Sequence, residues 1–144
     1  PTSTSLDKVK LALQQFSEGV NATKLNVADW RVHHWQFFIT QLPFQLNQVQ
    51  LKDLDMTFAF TGSQNAELAC DWFRVAIRNQ YDVVLPKVTS FLSEIGRAKF
   101  VKPLYSELLI ASYLTEATEI YQQARARYHP SLQVQLDLMF KANS

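Results

Sequence analysis

Along almost the whole chain the apolar residues recur at intervals of three and four, the spacing that puts one side of an α-helix against a core. Leu6, Val9, Leu13 and Phe16 make a first stripe, with Ser5 in position to cap it and Gly19 marking the break after it. In DWRVHHWQFFITQLP, residues 29–43, Trp35, Phe38, Ile39 and Leu42 share a face, with Asp29 as the expected cap and Pro43 as the stop. Asn47 is the predicted cap of a third helix whose Leu51, Leu54 and Phe58 face inward, ahead of a TGS break at 61–63.

The segment NAELACDWFRVAIRNQ carries Leu68, Trp72, Val75 and Ala76 on one stripe, which Phe73 and Ile77 broaden. It predicts a helix buried on more than one side. Asp82 opens DVVLPKVTSFLSEIG, with Leu85, Val88, Leu92 and Ile95 in register and Pro86 early enough to be tolerated. Gly96 is expected to end that helix in the left-handed conformation. After KFVKP a helix uses Leu104, Leu108 and Ala111; Thr115 caps another with Ala117, Tyr121 and Ala124; a last one follows His129-Pro130 and uses Val134 and Leu138.

The expected fold is therefore all-α, about eight short helices in stacked antiparallel pairs, as in an armadillo-like α-solenoid or a curved bundle. No sequence repeat of fixed period accompanies it. At 144 residues and 47% hydrophobic content, one domain over 1–144 is expected. The opening PTSTSLD lacks an initiator methionine and reads as the start of a fragment or of a processed chain.

The formal net charge of +1 excludes a large single-sign field of the kind that recruits nucleic acid or an acidic membrane. Any electrostatic role has to be local. Charged residues make up 19%, below the usual quarter, which hints at surface covered by a neighbouring domain or subunit. The single cysteine, Cys70, cannot form an internal disulfide and sits among apolar neighbours, as a small buried residue does. No membrane-length apolar run and no signal-like segment occur, which says little about compartment in a chain that reads as a fragment; a lone cysteine permits a reducing compartment, and the cytoplasm is the expectation.

Catalytic chemistry has little to work with. His33 and His34 are adjacent, diverge by about 100° on a helix and cannot share a tetrahedral ion, and neither begins H-E-x-x-H. No metal site and no catalytic residue are expected in this chain. Asp53 with Asp55, and Glu116 with Glu119, are spaced as solvated helix charges. Trp30 and Trp35, five apart, fall on different faces if both are helical, and only Arg31 lies near them, so no stacking platform for single strands is expected.

EIGRAKFVKPLY, residues 94–105, remains. If the helix ends at Gly96, the next residues are extended, and Arg97 and Lys99, two apart, point the same way. Two convergent cations make an anion site. Basic residues following a helix end also compensate its macrodipole without any ligand, and the spacing alone leaves both readings open.

These residues belong to a longer series: Asn65 and Glu67, Trp72 and Arg74, Pro86, Gly96-Arg97-Ala98-Lys99-Phe100, Lys102-Pro103-Leu104 and His129-Pro130. In that order the series resembles the C-terminal helical domain of the leukotriene A(4) hydrolase and aminopeptidase B group of zinc aminopeptidases. VNATKLNVADW upstream is similar to that family's asparagine-alanine-threonine segment. The resemblance implies a parent enzyme with a β-rich domain, a thermolysin-like domain that binds zinc through H-E-x-x-H and a distant glutamate, and this domain packed against it. It implies that Arg97 and Lys99 hold the carboxylate of a peptide substrate from which the parent removes N-terminal residues. The partners implied are the catalytic domain of the same polypeptide and the peptide, with neither nucleic acid nor membrane. None of the zinc ligands is present here, so zinc is expected only in the parent's catalytic domain. The rival reading is a freestanding helical-repeat module that binds a protein or peptide in its concave face.

Overall fold

The computed structural model describes residues 2–143, with side chains from residue 6 onward. Among them are eight α-helices and no strand: α1 (Thr2–Ser17), α2 (Val32–Thr40), α3 (Gln48–Phe58), α4 (Ala66–Arg78), α5 (Leu85–Glu94), α6 (Ala98–Ile110), α7 (Leu114–Ala124) and α8 (Pro130–Ala142). The helix at the start extends back past Ser5, so that position lies within α1 and does not cap it; the Ser5 side chain is outside the described residues. The chain divides into two compact units, with the boundary between Val75 and Ala76.

In the first unit α1 packs on α2. Gly19, at φ 100°, stops α1 as expected: its N–H bonds to the Phe16 carbonyl at 3.1 Å and the Val20 N–H reaches back to Gln15 at 3.0 Å, the pairing that satisfies the orphan carbonyls of a helix end. Asp29 is not the cap of α2. It sits at φ 66°, and Arg31 takes the cap position, its N–H held by the His34 ring at 2.8 Å. Trp30 thus precedes the helix, and instead of diverging from Trp35 it meets that ring edge-on at 4.7 Å. Trp35 contacts Phe58 and Phe60, and Phe60 contacts Trp72, so α2, α3 and the middle of α4 share one aromatic cluster.

Two carboxylates read as solvated charges hold this unit's loops. Asp53 accepts the Ala22 N–H at 2.8 Å, and Asp55 accepts both the N–H and the hydroxyl of Thr61, at 2.9 and 2.7 Å. The Thr61 hydroxyl in turn accepts the Trp72 indole N–H at 2.9 Å, which lets a fully buried tryptophan keep its polar atom paired. Leu51, Leu54, Phe38 and Ile39 are fully buried in the same unit, each contributing about 1.5–3 kcal/mol by its removal from water. Cys70 is buried, as its neighbours indicate.

In the second unit α6 packs on α7 and α8, and α5 on α7. Val88, Leu92, Val101, Leu104, Tyr105, Leu108, Ala117 and Leu136 are fully buried. Pro86 lies in the first turn of α5, where its missing N–H has no helical partner to lose. Pro103 is different. The helix expected to start after it starts instead at Ala98 and runs through it. An interior proline costs about 3 kcal/mol, and burial of Phe100 and Val101 before it and Leu104, Tyr105 and Leu108 after it offsets that loss.

Two further expectations shift. Thr115 lies inside α7, whose cap position is Tyr113, because Ser112 at φ 71° and the Tyr113 N–H on Leu108 at 2.8 Å close α6 directly before it. On α8 the buried residues are Leu132 and Leu136, while Val134 and Leu138 are 59% and 62% exposed. The interval of four was right and the register was off by two residues, which on a helix is the opposite face. Phe140, one further step along the buried stripe, stacks on Tyr121 at 4.7 Å.

Candidate functional site

The stretch that carries the two cations is a junction between helices. α5 ends at Glu94; Ile95 is extended, at φ −98° and ψ 126°, and its N–H still bonds to Phe91 at 2.8 Å. Gly96 is not left-handed, contrary to expectation: Gly19 is the glycine with positive φ among the described residues. The turn needs no such residue, because the chain leaves α5 and enters α6 through extended conformations.

Arg97, at φ −76° and ψ 125°, is the N-cap of α6, and Lys99 is the second residue of that helix. This changes the electrostatics. Cations following a helix would be compensated by its negative end, but here they stand at the positive end of the next helix, an arrangement that disfavours them by about 0.3–1 kcal/mol apiece. No side chain caps α6, and its first turn holds no acidic residue. Arg97 also stands three residues beyond Glu94, so the pair lies between the negative end of α5 and the positive end of α6.

Both side chains are exposed, and both lie over one ring. The Arg97 Cζ is 5.4 Å and the Lys99 Nζ 5.6 Å from the centroid of Phe100. The two charged groups can be no farther apart than those distances laid end to end. Phe100 itself is buried, with the Phe91 ring edge-on to it at 6.1 Å, so it is set by packing from the last turn of α5.

Hydroxyls brace the same junction from below. Tyr128 donates to the Leu92 carbonyl at 2.6 Å, one of the carbonyls that the end of α5 leaves without a helical partner, and the Tyr105 hydroxyl stands 3.0 Å from that of Tyr128. With the Tyr128 proton committed to Leu92, Tyr105 is the donor between the two. Burial pushes both phenols above their ordinary pKa and keeps them neutral. On the far side of α6, Glu107, also buried, pairs with Arg78 at 2.7 Å.

The other residues of the series do structural work. Asn65 accepts the Leu68 N–H at 3.1 Å and caps α4; Glu67 accepts from the Gln36 amide at 2.8 Å; the His129 ring accepts the Ser131 N–H at 3.1 Å and Pro130 opens α8. Of the residues singled out from the sequence, the fold brings Arg97 and Lys99 over one ring. Phe100, Tyr105 and Tyr128 went unnoticed as partners, although Phe100 follows Lys99 directly.

No group of three or more histidine, cysteine, aspartate or glutamate side chains among the described residues is arranged to hold a metal ion. The described residues offer no set of ligands for zinc. No described helix is long and apolar enough to cross a membrane. Surface recesses of about 180 Å³ beside Lys8, Leu11 and Asp29, and about 150 Å³ beside Leu85, Ile120 and Glu119, lie elsewhere and include neither cation.

Among the described residues the start of α6 carries two cations without a side-chain cap, and Arg31 likewise stands at the start of α2 without one. The family described as "Leukotriene A4 hydrolase, C-terminal" matches residues 30–140, and the chain belongs to it. Aminopeptidase RNPEPL1 of Mus musculus is 27% identical over 115 residues, covering 78% of this chain and 16% of that protein. A leukotriene A-4 hydrolase homolog of Botryotinia fuckeliana (strain B05.10) is 23% identical over 130 residues, 88% of this chain and 20% of that protein. A structure of yeast LTA4 hydrolase in complex with bestatin superposes with a TM-score of 0.72 at 20% identity, over 96% of this chain and 25% of that one. The chain thus spans a fifth or less of the length of these curated relatives.

Proposed function

We propose that this chain is the part of a zinc aminopeptidase that recognises the substrate's carboxylate and scaffolds the catalytic domain, in a cytoplasmic enzyme that removes N-terminal residues from peptides. Arg97 offers a planar fork to the terminal carboxylate and Lys99 a compact charge beside it, while the zinc and the catalytic groups belong to the remainder of the polypeptide. The chain binds and orients; it does not cleave. One observation carries this reading: two exposed cations share one ring at a helix start that has neither a capping side chain nor an acidic first turn. The names of the relatives, aminopeptidases and leukotriene A4 hydrolases several times longer than this chain, favour it over a freestanding module.

Anchoring the far end of a peptide acts through orientation at the scissile bond, so its loss reaches kcat/KM. In the full-length protein, Arg97→Ala is expected to lower kcat/KM for trialanine by the equivalent of about 2–5 kcal/mol, the cost of removing one partner of a desolvated charge contact. Trialaninamide, which has no carboxylate, should lose little. Equal losses on the two peptides would end the carboxylate role.

A further inference from the structure

Two like charges at the positive end of a helix repel each other and the helix, and the ring of Phe100 is a contact that both of them share. An aromatic face carries the negative lobe of the ring's quadrupole and attracts a cation within about 6 Å of its centroid; Arg97 and Lys99 meet that condition at 5.4 and 5.6 Å. Phe100 can act as a fixed reference because it is itself buried and has Phe91 of α5 against it at 6.1 Å. It lies in the first turn of α6 with Lys99, directly after the N-cap Arg97, so backbone and ring set their spacing together.

We infer that Phe100 is a positioning residue, a platform that pre-arranges Arg97 and Lys99 as one carboxylate-binding unit; this rests on the carboxylate reading above. Its contribution is the face of the ring, which is separable from its bulk. Leucine keeps most of the buried volume and removes the quadrupole, whereas tyrosine keeps both.

The test uses the full-length protein, trialanine and trialaninamide, with thermal unfolding to establish folding. Phe100→Leu should reduce the preference for trialanine over trialaninamide by about tenfold, the combined effect of two exposed cation–π contacts, with the loss in KM and kcat on the amide unchanged. Phe100→Tyr should restore the preference. Stepwise fluorination of a phenylalanine at position 100, which keeps the ring's shape while emptying its face, should reduce the preference in steps and covers the case in which Phe100→Leu does not fold.

An unchanged preference in Phe100→Leu and in the fluorinated proteins, with Arg97→Ala still losing it, would overturn the platform and leave the carboxylate reading standing. Equal loss on both peptides would make Phe100 a packing residue and overturn the platform as well. If Arg97→Ala itself leaves the preference intact, the carboxylate reading fails and the platform has nothing to position.

Discussion

Three helix starts in this protein solve the same problem in three ways. At α3 the Asn47 side chain accepts the Gln50 N–H at 2.8 Å and the Gln50 side chain accepts the Asn47 N–H at 2.9 Å, so two orphan donors are satisfied reciprocally. At α2 half of that device exists: His34 accepts the Arg31 N–H, and the arginine, which has no acceptor, returns nothing. At α6 neither half exists, and a cation occupies the cap. A chain that caps α3 this fully has the means to cap α6. Leaving that end open, with positive charge added, costs local stability, and α5 and α7 also start without a side-chain cap.

The largest stability effect separating these starts is expected at the complete box. Asn47→Ala removes the acceptor for the Gln50 N–H and should cost about 1 kcal/mol in chemical denaturation. A loss within a few tenths of zero would mean that the α3 start is held by the burial of Leu51 and Leu54, and that capping is no measure of what α6 lacks.

Arg97→Asn runs the comparison in reverse. The backbone of Arg97 is already in the extended region that a cap residue needs, so asparagine can accept from the first turn without rearrangement. Gaining a cap and removing a cation from the positive helix end outweigh the lost ring contact, for a net stabilisation of about half a kcal/mol. The same substitution should abolish the preference for a free carboxylate. A protein destabilised by Arg97→Asn would show that the guanidinium earns its place structurally.

The sequence reading succeeded where one residue makes its own local signal. Asn47 is legible because its acceptor reaches a fixed position three residues on, and Gly19 because the left-handed turn after α1 suits glycine. It failed where tertiary contacts overrode the local preference. Gln80 and Ser112 take the left-handed position after α4 and α6 at φ 56° and 71°, with Tyr81 and Tyr113 buried beyond them and their N–H groups bonded back at 2.8 Å. Gly96, which looked like such a stop, is not one. The cations were legible as a pair, but their place on α6 was not, since Pro103 argues locally for a helix start that the buried residues on either side of it overrule. Phe100 needed that helical register before its ring could be seen under both charges.

The half-box at α2 gives the smallest effect, and its sign is fixed by the chemistry. His34 accepts the Arg31 N–H through Nδ1, so that nitrogen carries no proton and the ring is neutral. Burial first, then the nearby His33, Lys8 and Arg31, hold its pKa below the ordinary 6.5. Below 6.5 the unfolded chain binds a proton that the native ring resists, so the stability this group contributes is complete above 6.5 and is lost as pH falls from there through the lowered native value. His34→Gln keeps an acceptor at the position where Gln50 serves α3 and removes the titration. Unfolding free energy measured from pH 7.5 to 5 should decline in the parent protein and decline less in His34→Gln. Identical slopes would mean that the Arg31 N–H does not depend on this ring, leaving α2 as open at its start as α6 and removing the intermediate case from the comparison.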